Sequence, residues 1–191
     1  MKTWKELFRP ANVLDVGCGR GTFIGYLRHT GVEAIGFDFS DFAVSHPYAR
    51  CRKEWVRQWD ATKTPWPYDA ASSELVLVLD LMEHIYEEDV DHVIDEIYRV
   101  TGKYAFLQIA TIRKSDEEYT LRRGENVPVR LQGLAVAGHV NMRDGAYWME
   151  KLTRRGWIPR KDLVEQFCAK APKDVIANWL LNTIVVMEKT S

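Results

Sequence analysis

Asp15, Gly17, Cys18, Gly19 and Gly21 are the residues whose types and spacing could hold a nucleotide-type ligand. They follow an apolar run that begins at Val13 and precede a helix-forming stretch that begins at Thr22. Glycine lacks Cβ, so the backbone can turn sharply after a strand and approach a ligand, while free N–H groups at the helix start face it. A dinucleotide-binding fingerprint would place its third glycine one residue later, where Thr22 stands, and needs no acid at position 15. A second acid, Asp38, closes the apolar segment Glu33–Phe37 at the distance expected of a carboxylate that binds a ribose diol. The plainer alternative is that Asp38 caps a helix beginning near Asp41.

The pattern Asp15-x-Gly17-x-Gly19-x-Gly21 resembles the first motif of class I S-adenosylmethionine-dependent methyltransferases. Further segments continue the resemblance in order. Gln58-Trp59-Asp60-Ala61, followed by Pro65-Trp66-Pro67, looks like the family stretch that meets adenine; the resemblance implies that Asp60 accepts from its amine and the Ala61 amide donates to a ring nitrogen. Leu79-Asp80-Leu81-Met82-Glu83-His84-Ile85 looks like the fourth motif, which flanks the methionine and the reacting methyl. The implied cofactor is S-adenosylmethionine, bound by Asp15, Gly17, Cys18, Gly19, Gly21, Asp38, Phe39, Asp60, Ala61, Asp80, Leu81 and His84. The late segment Gly138-His139-Val140, with Trp148 and Gly156-Trp157, resembles what small-molecule members place after their fifth strand.

In that family the sulfonium already carries an activated methyl, so a protein must align a nucleophile and, for a hydroxyl or amine, remove its proton. His139 is the expected base, because it follows the proposed acceptor-side segment near the carboxyl edge of the sheet; His84 is expected to shape the cofactor wall. Asp80-x-x-Glu83-His84 together with His139 also resembles a divalent-ion set found in some methyltransferases acting on vicinal hydroxyls. The short Asp at the first position departs from that set, so no metal is assigned.

The elements that must position these residues read as one α/β domain over residues 1–191. A Rossmann-like class I methyltransferase fold is expected, with a seven-stranded, mostly parallel sheet, helices on both faces and one antiparallel strand near the end. Leu75–Leu79 is apolar without alternation, as in a central parallel strand. The first helix should run from about Thr22 to Thr30, and the clearest helix has Glu87, Glu88 and Asp89 at its positive end and is stopped by Gly102. Tyr104–Ala110 reads as the fifth strand, Ala146–Arg155 as a helix, and Leu163–Phe167 and Thr183–Glu188 as two last strands. Residues 111–138 form an expected acceptor-side insertion or lid, mixed in charge and solvated. The dozen residues before the first strand are too few for the extra helices many relatives lay over the cofactor. Trp66, between two prolines, is expected to be exposed, with the other tryptophans packed in the core or rim.

The 191 residues carry a net charge of −1 and are 46% hydrophobic, which suits a sizeable core and indicates neither nucleic-acid nor membrane-surface attraction. Three cysteines without a C-x-x-C argue against a disulfide framework and a zinc site. With neither a signal-peptide core nor a membrane-spanning segment, a cytoplasmic setting is expected. The expected function is methyl transfer to an oxygen or nitrogen of a small molecule, a sugar or other hydroxylated metabolite among the candidates. The alternative is a methyltransferase-like subunit that binds cofactor or a partner without turnover.

Overall fold

The computed structural model describes residues 2–112, 118–125, 138–170 and 183–190. In chain order its elements begin with α1 (Lys2–Phe8), β1 (Asn12–Val16), α2 (Thr22–His29), β2 (Glu33–Asp38), α3 (Asp41–Ser45) and β3 (Val56–Gln58). The central part is β4 (Ser73–Leu79), α4 (Glu87–Val100) and β5 (Thr101–Gln108). After β6 (Tyr119–Thr120) and β7 (Asn141–Met142) come α5 (Gly145–Thr153), β8 (Trp157–Pro159), α6 (Lys161–Lys170) and β9 (Ile184–Lys189).

Seven strands form one sheet in the order β3-β2-β1-β4-β5-β9-β8. The first five are parallel, and β9 runs antiparallel to both β5 and β8. This is the expected seven-stranded Rossmann-like arrangement.

Period-two side-chain alternation explains the two cores. Leu14 and Val16 of β1, Val76 and Val78 of β4 and Ala105 and Leu107 of β5 join Val93, Ile94 and Ile97 of α4 and Trp148 and Leu152 of α5. Val13, Leu75, Leu77 and Phe106 turn the other way, onto Trp4 and Phe8 of α1, Ile24 and Leu27 of α2 and Leu163 of α6. A strand covered on both faces can be apolar throughout, which is why Leu75–Val78 shows no polar residue.

Three local expectations need correction. Leu163–Phe167 lies in helix α6; the penultimate strand is Trp157–Pro159. Leu163, Val164 and Phe167 share a helical face, and the Phe167 ring packs on Trp4 and Phe106 at 5.5 and 4.9 Å between centroids. Gly102 does not stop α4. It lies inside β5, at the register shift opposite Ser73 and Leu75, where a Cβ would come within 3.1 Å of the Ala71 carbonyl oxygen. Trp66 is 2% exposed, not a surface residue.

The N-terminal segment forms one helix, α1, packed against α6 and the face that buries Trp4 and Phe8, rather than over the carboxyl edge of the sheet. Of the expected lid, residues 111, 112, 118–125 and 138 are described, and β6 pairs antiparallel with β7. Arg113, Lys114, Asp116, Glu117 and Arg130 lie outside the described residues. Within the described part, Arg143 pairs with Glu118 at 3.1 Å and Arg123 with Asp89 at 2.7 Å, a mixed-charge surface as expected. Among the described residues, no helix is long and apolar enough to cross a membrane.

Candidate active site

Parallel register brings the carboxyl ends of the strands together: Val16 stands opposite Phe37 and Val78, and Leu79 opposite Gln108. Between those ends and the β6–β7 hairpin lies a cleft of about 720 Å³. Its wall includes Gly17, Asp38, Phe39, Asp60, Ala61, Asp80, Leu81 and His84, eight of the residues expected to face a cofactor. In open α/β sheets this edge is where ligands bind.

The glycine turn is built for close approach. Gly17, Gly19 and Gly21 have φ of 73°, 53° and 70°, left-handed values that cost other residues energy. The Gly17 and Cys18 amides both donate to the Phe37 carbonyl, at 2.9 and 3.0 Å, which seals the turn onto β2. A Cβ on Gly17 would press on Leu81, one on Gly21 would run into Cys51 Sγ, and one on Gly19 would meet open space.

Asp15, Cys18, Gly19 and Gly21 support the cleft without lining it. Asp15 is 2% exposed beneath the turn; burial, with the Asp38 charge adding, pushes its carboxyl up to about 7. Its Oδ2 is buried without a hydrogen-bond partner. Cys18 is buried too, and burial drives its thiol above the usual range.

Asp38 does not cap α3. Ser40 does, its Oγ accepting from the Ala43 amide at 3.2 Å. The Asp38 carboxylate instead accepts from the Gly19 amide at 2.8 Å and the Ser40 amide at 2.9 Å, which aims it across the cleft. Farther along, Asp60 Oδ1 accepts from both the amide and hydroxyl of Thr62, at 2.9 and 2.8 Å. The Trp59 amide ties this turn to the Asp38 carbonyl at 3.0 Å.

Beyond the sheet edge the wall changes character. Asp80 adopts φ 50°, a strained value for a residue with a Cβ, and takes a 2.8 Å bond from Gln108 Nε2. Glu83 is 1% exposed: its Oε1 accepts from the Ala110 amide at 3.1 Å, its carbonyl accepts from the Val140 amide at 2.9 Å, and its Oε2 has no partner. His84 faces the cleft, Nδ1 against the Gly138 carbonyl at 2.9 Å, so a neutral ring there carries its proton on Nδ1 and leaves Nε2 as acceptor.

His139 stands behind His84, the two rings edge to face with centroids 5.0 Å apart. Its neighbours Gly138 and Val140, not its own ring, reach the cleft. Burial, and then the neighbouring His84, hold His139 below the usual imidazole range, opposed by Asp80. Its Nδ1 is buried and unpartnered. Ile85, Tyr86, Leu121, Arg123 and Glu125 complete this side. The sequence reading did not single out these five for the site; their signal, apolar and charged residues flanking the fourth motif and the late hairpin, emerges only when the hairpin folds back.

Residues 13–103, from β1 into β5, match a family model described as a methyltransferase domain. Over those residues the chain is similar to a methyltransferase domain, and its fold is that of solved S-adenosylmethionine-dependent methyltransferases. Solved structures of similar fold include an S-adenosylmethionine-dependent methyltransferase from Mesorhizobium loti, 16% identical, with a TM-score of 0.64 over 99% of this chain and 98% of that one. Another is a SAM-dependent methyltransferase from Archaeoglobus fulgidus, also 16% identical, with a TM-score of 0.64 over 98% of this chain and 90% of that one. A third is a phosphoethanolamine N-methyltransferase from Haemonchus contortus in complex with phosphomonomethylethanolamine and S-adenosylhomocysteine. It is 16% identical, with a TM-score of 0.62 over 94% of this chain and 49% of that one. The matched segment is the part that builds the glycine turn, Asp38 and Asp60.

Proposed function

We propose that this methyltransferase domain binds S-adenosylmethionine in the cleft and transfers its methyl to an oxygen or nitrogen of a small hydroxylated molecule. The observation that carries the reading is one wall holding, in order, an open glycine turn, a carboxylate fixed for a diol and a second carboxylate fixed by its own turn. The residues fit the cofactor: Gly17 lines the cleft, Asp38 keeps acceptor capacity beyond its two amide bonds, and Asp60 commits only Oδ1 to Thr62. Bound there, S-adenosylmethionine supplies a methyl group already activated on a sulfonium.

The chain's own work is then alignment and proton removal. Leu81, Ile85, Leu121 and Val140 give the cleft apolar surface that excludes water from the acceptor side. In this reading His84 Nε2 takes the acceptor's proton, supported by the Nδ1 contact with the Gly138 carbonyl that leaves Nε2 free, and the ring of His139, the base expected from the sequence, packs edge-on against it. A subunit that only binds cofactor would have no use for such a pair. Calorimetric titration with S-adenosylhomocysteine, followed by an acceptor screen read as S-adenosylhomocysteine release and product mass gain, tests the reading. Absence of saturable binding would overturn it.

A second reading of the inner wall is favoured by one observation. Ligand atoms of Glu83, His84 and His139 all lie within 4.8 Å of one another, and Glu83 Oε2 and His139 Nδ1 are buried without partners. One carboxylate and two imidazoles suit manganese better than magnesium, and such an ion would polarise an acceptor hydroxyl.

A further inference from the structure

The Pro65-Trp66-Pro67 stretch takes no part in the proposed chemistry, yet it is bonded into the body of the molecule at both ends of its tryptophan. Trp66 Nε1 donates to the Ala61 carbonyl at 2.9 Å, and the Trp66 amide donates to Glu96 Oε2 at 2.5 Å. Glu96, on α4, is gripped by Arg99 through bonds of 2.7 and 2.8 Å. Arg99 returns to the loop, donating to the Trp66 carbonyl at 3.1 Å and the Tyr68 carbonyl at 2.8 Å. The indole also packs edge-on against Phe37, centroids 5.0 Å apart. Phe37 and Ala61 line the cleft, whereas Trp66, Glu96 and Arg99 do not.

The turn at Asp60–Thr62 is thus tied twice. The Trp59 amide bonds its start to Asp38, and Trp66 bonds its middle to α4. Charge-assisted, two-pronged bonds between Arg99 and Glu96 make the second tie stiff. We propose that Trp66, Glu96 and Arg99 form a positioning clamp that fixes the base end of the cleft relative to its ribose end and so sets the preference for adenine. The inference rests on the donor reading above. None of the three touches the ligand; they act by holding Asp60 and Ala61 where an amine and a ring nitrogen can be read.

Binding of S-adenosylhomocysteine and of S-inosylhomocysteine, in which an oxo group replaces the adenine amine, separates this from a role in stability alone. Trp66→Phe keeps an aromatic side chain, though smaller than the indole, and removes the N–H, leaving the buried Ala61 carbonyl without this donor. It should weaken S-adenosylhomocysteine about tenfold and S-inosylhomocysteine far less, so that discrimination between the two collapses. Glu96→Gln, which keeps an acceptor for the Trp66 amide but loses the charged pair, should move in the same direction by a smaller factor and serves if Trp66→Phe does not fold. Equal weakening of both ligands, or no weakening of either, in a folded variant would overturn the clamp and leave the donor reading intact. Failure of the unaltered protein to bind S-adenosylhomocysteine would sink both.

Discussion

The Asp38 carboxylate and the Gly19 amide meet at 2.8 Å, joining the end of β2 to the top of the glycine turn. One bond therefore connects the residue proposed to hold a ribose with the glycine turn that supports the cleft. Asp38→Ala removes both the diol acceptor and this strut. S-Adenosylhomocysteine affinity should fall by about 1–3 kcal/mol in calorimetry, with the fold retained by circular dichroism. Unchanged affinity would take Asp38 out of the site.

Asp15 links the site to stability. Its folded pKa is raised from 3.8 to about 7, chiefly by burial. A raised folded pKa means that the folded state prefers the protonated form. The contribution is present in full below the unfolded value and is lost as pH rises through the folded one. Urea unfolding of the unliganded protein should show stability declining between about pH 4 and pH 8 by an amount on the order of a few kcal/mol. Asp15→Asn, which cannot ionise, should flatten that slope and exceed the parent in stability at pH 8. A variant with the parent's slope would rule Asp15 out as its source.

With a true acceptor in hand, His84→Ala should lower kcat by about 10²–10⁴-fold, and His139→Ala, one ring farther from the cleft, by a smaller factor while leaving S-adenosylhomocysteine affinity near that of the parent. Full turnover in both variants would leave alignment alone as the mechanism.

The metal reading makes a separate demand. Extended chelation of the purified protein should abolish turnover, manganese should restore it, and Glu83→Gln should no longer respond to the added ion. Turnover indifferent to chelation would dismiss an ion at Glu83, His84 and His139.

Leu77 is fully buried in β4, paired between β1 and β5. Leu77→Ala should destabilise the protein by about 2–5 kcal/mol in urea unfolding, since a cavity in the central strand has little room to collapse. A loss below about 1 kcal/mol would contradict the close packing described for this strand.

Much of the donor half was legible in the chain because its signals are local. A strand that ends in alternating glycines, an acid closing the next strand and an apolar run too uniform for an edge each constrain a few neighbouring residues. Backbone geometry then does the rest. Cys18, Gly19 and Gly21 belong to the turn and Asp15 to the strand beneath it, but whether such a residue faces the cleft or braces it depends on φ and on what lies underneath. Asp15 and Gly21 face β2 and Cys51 instead of open space.

Other features depended on partners far away in the chain. Trp66 looks exposed between two prolines and is buried because Glu96 and Arg99, some thirty residues on, draw its loop down onto α4. Leu163–Phe167 supports either a strand or a helix on its own; Trp4 and Phe106 select the helix by offering rings to one face of it. His139 was legible as a polar residue near the sheet edge, but its place behind His84 follows from the Val140 amide bonding the Glu83 carbonyl, a contact across more than fifty residues. Local residue chemistry thus determined the glycine turn, the acid that closes the second strand and the buried central strand. The depth of each side chain in the cleft was decided by long-range packing, because burial and charge pairing depend on which distant surfaces close over a residue.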